Sequence, residues 1–384
     1  MAPGQREGAR RGGTPSPLAL IFASTALDLM AFGMALPVIP FILKEKLDAS
    51  PQQQGMIMSV YAALQFFSCP VLGRLSDRVG RVPLLVVSAA AAGCACLGMA
   101  HAPSLAWYAA VRWAGGVFKC NLTVGQAYIT DITSSEDRSR GMGLLGAAFG
   151  IGFILGPGLG GFLSSAYGHT LPLQVGAGLC FANLLLAALI LPETAGPRAG
   201  PLARPKAAEA GAGAEAAAAA AAGQAPRVLL HHRLVFSAAF SLWQFHFPLH
   251  AQRGMGLDSK GVGLVLGYVG LLATLTNAII VPRAVRACGE RPLALPIVLA
   301  MAGALTAWGA AGPRLAQFAW RTALLTPIAV AGSSFSTVTS SLITKSVPRE
   351  MAGVALGYAG SVDTLARMIS PLAGGWLAGR YGDG

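Results

Sequence analysis

Residues 143–168 read GLLGAAFGIGFILGPGLGGFLSSAYG, an apolar run long enough to cross a bilayer and loaded with glycine. Backbone N–H groups in hydrocarbon need partners within their own segment, so such a run is helical. Pro157 breaks the hydrogen-bond ladder and each glycine weakens the helix, so close packing has to recover the loss. Gly143, Gly152, Gly156, Gly160 and Gly161 leave a surface of small residues that a neighbouring helix can approach, and Pro157 supplies a bend. The expectation is a kinked interior helix.

The design returns 214 residues later without a gap. Gly143, Gly146, Pro157, Gly160, Gly161, Leu163, Tyr167 and Gly168 match Gly357, Gly360, Pro371, Gly374, Gly375, Leu377, Tyr381 and Gly382. The register holds through the closing Tyr-Gly, which marks the chain as a duplicated membrane protein.

Composition points the same way. With 54% apolar and 11% charged residues and a mean hydropathy of +0.58, the 384 residues do not read as two or three soluble domains. The net charge of +12 does not imply nucleic acid, because the basic residues punctuate apolar runs instead of clustering with stacking aromatics. The six cysteines lie in or beside apolar segments and read as small buried hydrophobes. No second Cys/His pair completes a metal site at Cys94-x-Cys96, so neither metal nor cofactor is expected. No nucleotide loop or nucleophile–base spacing suggests an enzyme.

Apolar stretches place spans near 17–43, 55–73, 83–102, 104–130, 141–166, 171–192, 229–249, 261–282, 292–311, 315–344 and 351–379, each close to or above the roughly 20 residues a spanning helix needs. The seventh is the weakest, with only Leu234 to Leu249 uncharged. The first run is too long for a signal-peptide core and counts as a span. With the N-terminus in the cytosol, the inside segments carry eighteen lysines and arginines against six outside, so the positive-inside rule selects that orientation. The layout expected is a cytosolic tail over 1–16, a six-helix half over 17–194, an Ala/Gly/Pro-rich cytosolic linker over 195–227 and a half of about five helices over 228–384. Eleven spans leave the C-terminus outside.

After the second span comes Gly73-Arg-Leu-Ser-Asp77-Arg78-Val-Gly80-Arg81-Val-Pro83. This resembles the signature loop of the major facilitator superfamily, departing at Val82 where a basic residue is usual. The resemblance implies a gating loop of about ten residues built on Gly73, Asp77, Arg78, Gly80 and Arg81, with Asp77 capping the eleventh helix and Arg78 and Arg81 as its basic partners. Arg283 to Pro292 is a worn second copy, offset by 209, in which Arg286 replaces Asp77. In the fourth span, Arg112 to Gly116, continued by Gly125 and closed by Asp131, is similar to the family's membrane-embedded arginine motif. A buried arginine needs a partner, and Asp28, in a DLMAFGMALP stretch that resembles the first-helix motif of the drug-exporting branch, is the expected one. Either a structural pair or a proton-linked pair fits. The Gly143–Gly161 pattern resembles the family's antiporter motif, and Pro192-Glu193-Thr194 closing the sixth span is common in the superfamily.

Other polar groups fall at membrane depth. Gln65, Gln126, Gln244, His246 and Asn277 are candidates for a cavity wall, while Lys119, Asn121, Asn183 and Arg321 are further polar groups. Asp363 and Arg367, at i and i+4, are expected to pair with each other. The resemblance implies an all-α fold with two pseudo-repeated halves and twelve helices, of which the twelfth is expected to be missing here, moving a small organic solute by alternating access with proton-coupled antiport. The partners expected are a solute, protons and the lipid bilayer, with no nucleic acid and a monomeric chain. An uncoupled facilitator, or a truncated, transport-inactive protein with a binding or regulatory role, is the alternative.

Overall fold

A computed structural model describes residues 16–133, 138–195, 224–253, 256–310, 318–347 and 352–381. Every regular element among them is helical, and they make eleven successive rods. Among the described residues, seven helices are long and apolar enough to cross a membrane by length and composition. The residues 196–223 of the expected linker lie outside the described residues.

The first helix, Pro17–Ala35, continues through Ile39–Phe41 and a wider-wound turn at Ile42–Lys46. The second, Pro51–Val79, starts at a capping box in which the Ser50 and Gln53 side chains satisfy each other's backbone N–H. The third, Arg81–Ala100, follows after one residue. The expected ten-residue signature loop is therefore a single-residue break. Gly80 turns the chain at φ +121°, a conformation that L side chains rarely adopt. Gly289 makes the corresponding turn of the second half, at φ +80°, between Val281–Cys288 and the ninth helix Glu290–Ala310.

The fourth span is not one helix. It runs as Leu105–Val117, breaks at Phe118–Cys120, and resumes as Asn121–Ile132. Neighbours satisfy the freed backbone: the Cys120 N–H donates to Ser88 Oγ at 3.2 Å, and the Lys119 carbonyl accepts from Cys69 Sγ at 3.5 Å. The fifth and sixth helices are Arg138–Tyr167 and Thr170–Leu189. The seventh, of which only Leu234 to Leu249 read as uncharged, runs through Gln224–Arg253 and takes in Arg233. The eighth runs from Ser259–Leu275 through Thr276–Ile280 to Val281–Cys288; the tenth is Phe318–Lys345 and the eleventh Ala352–Tyr381.

The glycine-rich fifth helix packs on two partners at once. A Cβ at Gly152 would meet Leu29 Cβ at 2.6 Å, and one at Gly156 would meet Gly33 Cα at 2.8 Å, so this face, with Gly160 against Met34, is pressed on the first helix. A Cβ at Gly161 would lie 2.9 Å from Gly263 Cα, so the adjacent face meets the eighth helix of the other half. Pro157 lacks the N–H that would bond the Phe153 carbonyl, and that oxygen rests against Gly270. The eleventh helix repeats the arrangement. Its Pro371 carbonyl meets Gly55 of the second helix, Gly375 meets Pro51 and Gln52, and Gly374 faces Leu242 and Phe245 of the seventh. The repeat read from sequence is thus a two-fold pattern of helix contacts joining the halves.

Candidate functional site

Two polar constellations occupy the first half, a third joins the two halves, and a fourth occupies the second. The deepest centres on Asp28. This carboxylate is 4% exposed, and both its oxygens lie 2.6 Å from Lys119 Nζ. The expected Asp28–Arg112 pair is therefore corrected to Asp28–Lys119. The break at Phe118–Cys120 swings Lys119 off the regular helical path, which spacing along an unbroken helix does not anticipate. Arg112, 8% exposed, instead lays its guanidinium over the Tyr61 ring, 4.2 Å from the centroid. Its Nε is buried with no hydrogen-bond partner among the described residues. Asp28, Tyr61, Arg112 and Lys119 share a partly enclosed recess with Cys96 and Cys180.

The second constellation is built on the Gly80 turn. Arg81, 5% exposed, reaches Asp77 Oδ1 at 2.7 Å, Asp131 Oδ2 at 2.9 Å and Ser76 Oγ at 2.6 Å. Glu193 accepts the backbone N–H groups of Arg81 and Val82 at 2.7 and 3.0 Å, and those of Thr194 and Ala195 at 2.9 and 3.0 Å. It therefore caps the third helix from the end of the sixth, where a carboxylate also complements the helix dipole. Arg78 is exposed, and Gly73 faces open space. The expected capping of the eleventh helix by Asp77 falls where residues 348–351 lie outside the described residues. In the second half the pair reappears with its signs exchanged: Glu290, opening the ninth helix, meets Lys345, closing the tenth, at 2.6 Å.

The third constellation lies at the opposite end of the molecule. Glu45 accepts from Gln252 Nε2 of the seventh helix at 3.1 Å and pairs with His169 Nε2 at 3.0 Å. Ser165 Oγ donates to Asp258 at 3.0 Å, while Asp258 caps the eighth helix at the Gly261 N–H. Phe41 joins the second half's core with Phe236, Trp243 and Phe247. This end is closed by contacts between the halves. Beside it, Lys44 at 2.8 Å holds the exposed Asp48 carboxyl below its ordinary range by a hydrogen bond and by charge.

In the second half, Asp363 does not pair with Arg367. Arg233 takes it in a two-pronged bridge, Nε to Oδ1 at 3.0 Å and Nη2 to Oδ2 at 2.7 Å. Arg233 also donates to Ser336, Thr339 and Ser340. Arg367 donates to Thr364 Oγ1 at 3.1 Å. An i, i+4 pair gains little at a surface, whereas the seventh helix brings in a guanidinium whose planar fork fits a carboxylate. The candidate cavity residues lie on the second, fourth, seventh and eighth helices. Gln65 is half-buried on the second helix, Gln126 and Gln244 are exposed, and Asn277 accepts from Thr337 Oγ1 at 2.8 Å. His246 stacks on His250 with centroids 5.9 Å apart. Lys119, Glu193 and Arg233 are the residues whose roles sequence reasoning missed. Glu193 carried a signal as the centre of Pro-Glu-Thr, and Lys119 as a charge at membrane depth.

Along the fifth and eighth helices, close approach runs from Gly161–Gly263 to Gly150–Thr274. One and two turns further, Gly146 and Gly143 face open space. The two helices thus part toward the end that carries the Gly80 turn.

The family model of the Major Facilitator Superfamily matches residues 21–371. The class C tetracycline resistance protein of Escherichia coli is 28% identical over 360 residues, covering 92% of this chain and 88% of its own length. Solute carrier family 67 member A1 of Homo sapiens is 27% identical over 96% of this chain and 88% of its length. Among solved structures, that of the human organic anion transporter MFSD10 (TETRAN) superposes with a TM-score of 0.66 at 22% identity, over 96% of both chains.

Proposed function

We propose that this chain, which belongs to the Major Facilitator Superfamily, is a secondary transporter that exchanges a small organic solute for protons by alternating access. Membership makes it a multi-pass integral membrane protein and not an enzyme. The observation that carries the proton-linked reading is the Asp28–Lys119 pair, 2.6 Å apart and buried. A carboxylate held in the bilayer interior is costly unless it is paired, and residues of this kind mark proton and substrate paths. Protonation of Asp28 releases Lys119, and rebinding of the two expels the proton, so the pair can couple a proton to a rearrangement of the broken fourth helix.

In this reading the halves are 17–194 and 228–384, joined by a linker, with the N-terminus in the cytosol. The Gly80 turn then faces the cytosol, and the parting of the fifth and eighth helices makes this the inward-open side. The glycine-rich interfaces are the surfaces on which the halves rock.

The test uses protein reconstituted in proteoliposomes and a solute panel containing tetracycline, a nucleoside and an aromatic carboxylate. Replacing both charges, as Asp28→Asn with Lys119→Gln, avoids leaving either one unpaired. Flux driven by a pH gradient is expected to fall to background while solute counterflow persists. Equal loss of both makes the pair structural, and unchanged gradient-driven flux removes it from coupling.

A further inference from the structure

The recess beside Asp28 holds one carboxylate against two cations. Lys119 spends its charge on Asp28, with both carboxylate oxygens at 2.6 Å. Arg112 has no carboxylate within ion-pairing distance among the described residues, and its Nε makes no hydrogen bond there. It is nevertheless 92% buried, being 8% exposed. The Tyr61 ring at 4.2 Å covers one face of the guanidinium, leaving its N–H edge as the direction in which it can bind. A buried cation without a paired counter-charge is strongly unfavourable, and the one carboxylate lining this recess, Asp28, is taken by Lys119.

We infer that Arg112 is the receptor for an anionic group of the transported solute, a carboxylate or an oxyanion of similar size. Guanidinium presents paired N–H donors in a planar fork that matches a carboxylate edge to edge, and the Tyr61 face holds that plane fixed. The free space in the recess is about 40 Å³, beyond the about 10–15 Å³ that one water needs. That admits a charged head group and not a whole solute, whose remainder must lie outside the recess. The anion completes the charge balance that Asp28 and Lys119 leave open. Exchange then links two neighbouring events, a proton on Asp28 and an anion on Arg112. This inference rests on the transporter reading, and it adds the class of solute.

The probe is radiolabelled benzoate, measured by equilibrium dialysis on the purified chain in lipid nanodiscs, with benzamide and benzylamine as neutral and cationic competitors of the same shape. Saturable benzoate binding is expected, displaced by unlabelled benzoate and not by benzamide or benzylamine. Arg112→Gln is expected to weaken it about tenfold or more, the scale of a hydrogen bond to a charged group. Arg112→Lys, which keeps the charge and loses the fork, is expected to fall between. Benzoate is also expected to raise the melting temperature of the wild type, a readout independent of any variant's folding. Competition by benzamide or benzylamine equal to that of benzoate overturns the inference. So does unchanged binding by Arg112→Gln, or the absence of saturable binding. If benzoate binds as expected and no solute crosses the membrane under any gradient, it is the transporter reading that fails. If transport of neutral solutes proceeds without anion binding, only the present inference fails.

Discussion

Asp28 and Glu193 show how differently two carboxylates can be used in one half. Asp28 neutralises a cation inside the bundle, and removing one member of such a pair strands the other. Asp28→Asn alone is expected to cost about 3–5 kcal/mol through the orphaned Lys119, seen as a lower melting temperature and a lower yield. The double change with Lys119→Gln is expected to recover most of that stability. A double variant no more stable than the single would show that Lys119 is not what the mutation strands. Glu193 makes no ion pair among those described, yet it accepts two backbone N–H groups at the start of the third helix and two from Thr194 and Ala195, the residues that follow it. Glu193→Ala is expected to destabilise by about 1–2 kcal/mol, the range of a lost helix cap, and thermal inactivation of detergent-solubilised protein measures it. A shift in melting temperature indistinguishable from zero removes the capping role.

At the scale of the element, the fifth helix separates its glycines by duty. Gly160 is pressed against the Met34 backbone of its own half, whereas Gly161 meets Gly263 across the halves. Gly146 and Gly143 continue the stripe of Gly161, Ile154 and Gly150, since residues three and four apart share a helix face, but they meet nothing in this state. Their counterparts Gly357 and Gly360 are equally free of contact. Such glycines are explained by the opposite state, in which this end closes. Gly160→Leu is therefore expected to abolish folded yield. Gly161→Leu is expected to leave a folded protein biased away from closure at its own end. Gly146→Leu is expected to fold normally and hold the molecule in the present state. Normal transport by Gly146→Leu would dismiss the idea that closure uses that face.

For the whole molecule, the closed end is held by a few polar contacts between the halves, chiefly Glu45 with Gln252 and Ser165 with Asp258, together with the glycine interfaces. Exposed pairs contribute about 0.2–1 kcal/mol, so Glu45→Ala is expected to shift the balance between the two states by no more than about fivefold. A cysteine introduced as Gly146→Cys, in a background without the six native cysteines, reports that balance by its rate of labelling with an impermeant maleimide. The Glu45 change should slow labelling from the face that carries the Gly80 turn, and faster labelling would place the latch on the wrong side.

Hydrophobic run length, the Gly-Pro register and its return after 214 residues determined a duplicated helical membrane protein and the glycine faces of its fifth and eleventh helices. These signals are legible because bilayer thickness and close packing each act on consecutive residues of one segment. Charge partners were not legible in this way. Arg112 and Arg367 are the nearest candidates by motif and by spacing, yet Lys119 and Arg233 take the two carboxylates. The break at Phe118–Cys120 and the approach of the seventh helix bring those cations within reach, and both depend on how separate helices pack. Which end of the molecule is closed was likewise decided only by the tertiary structure, because the same sequence has to satisfy both states and its glycines serve each in turn.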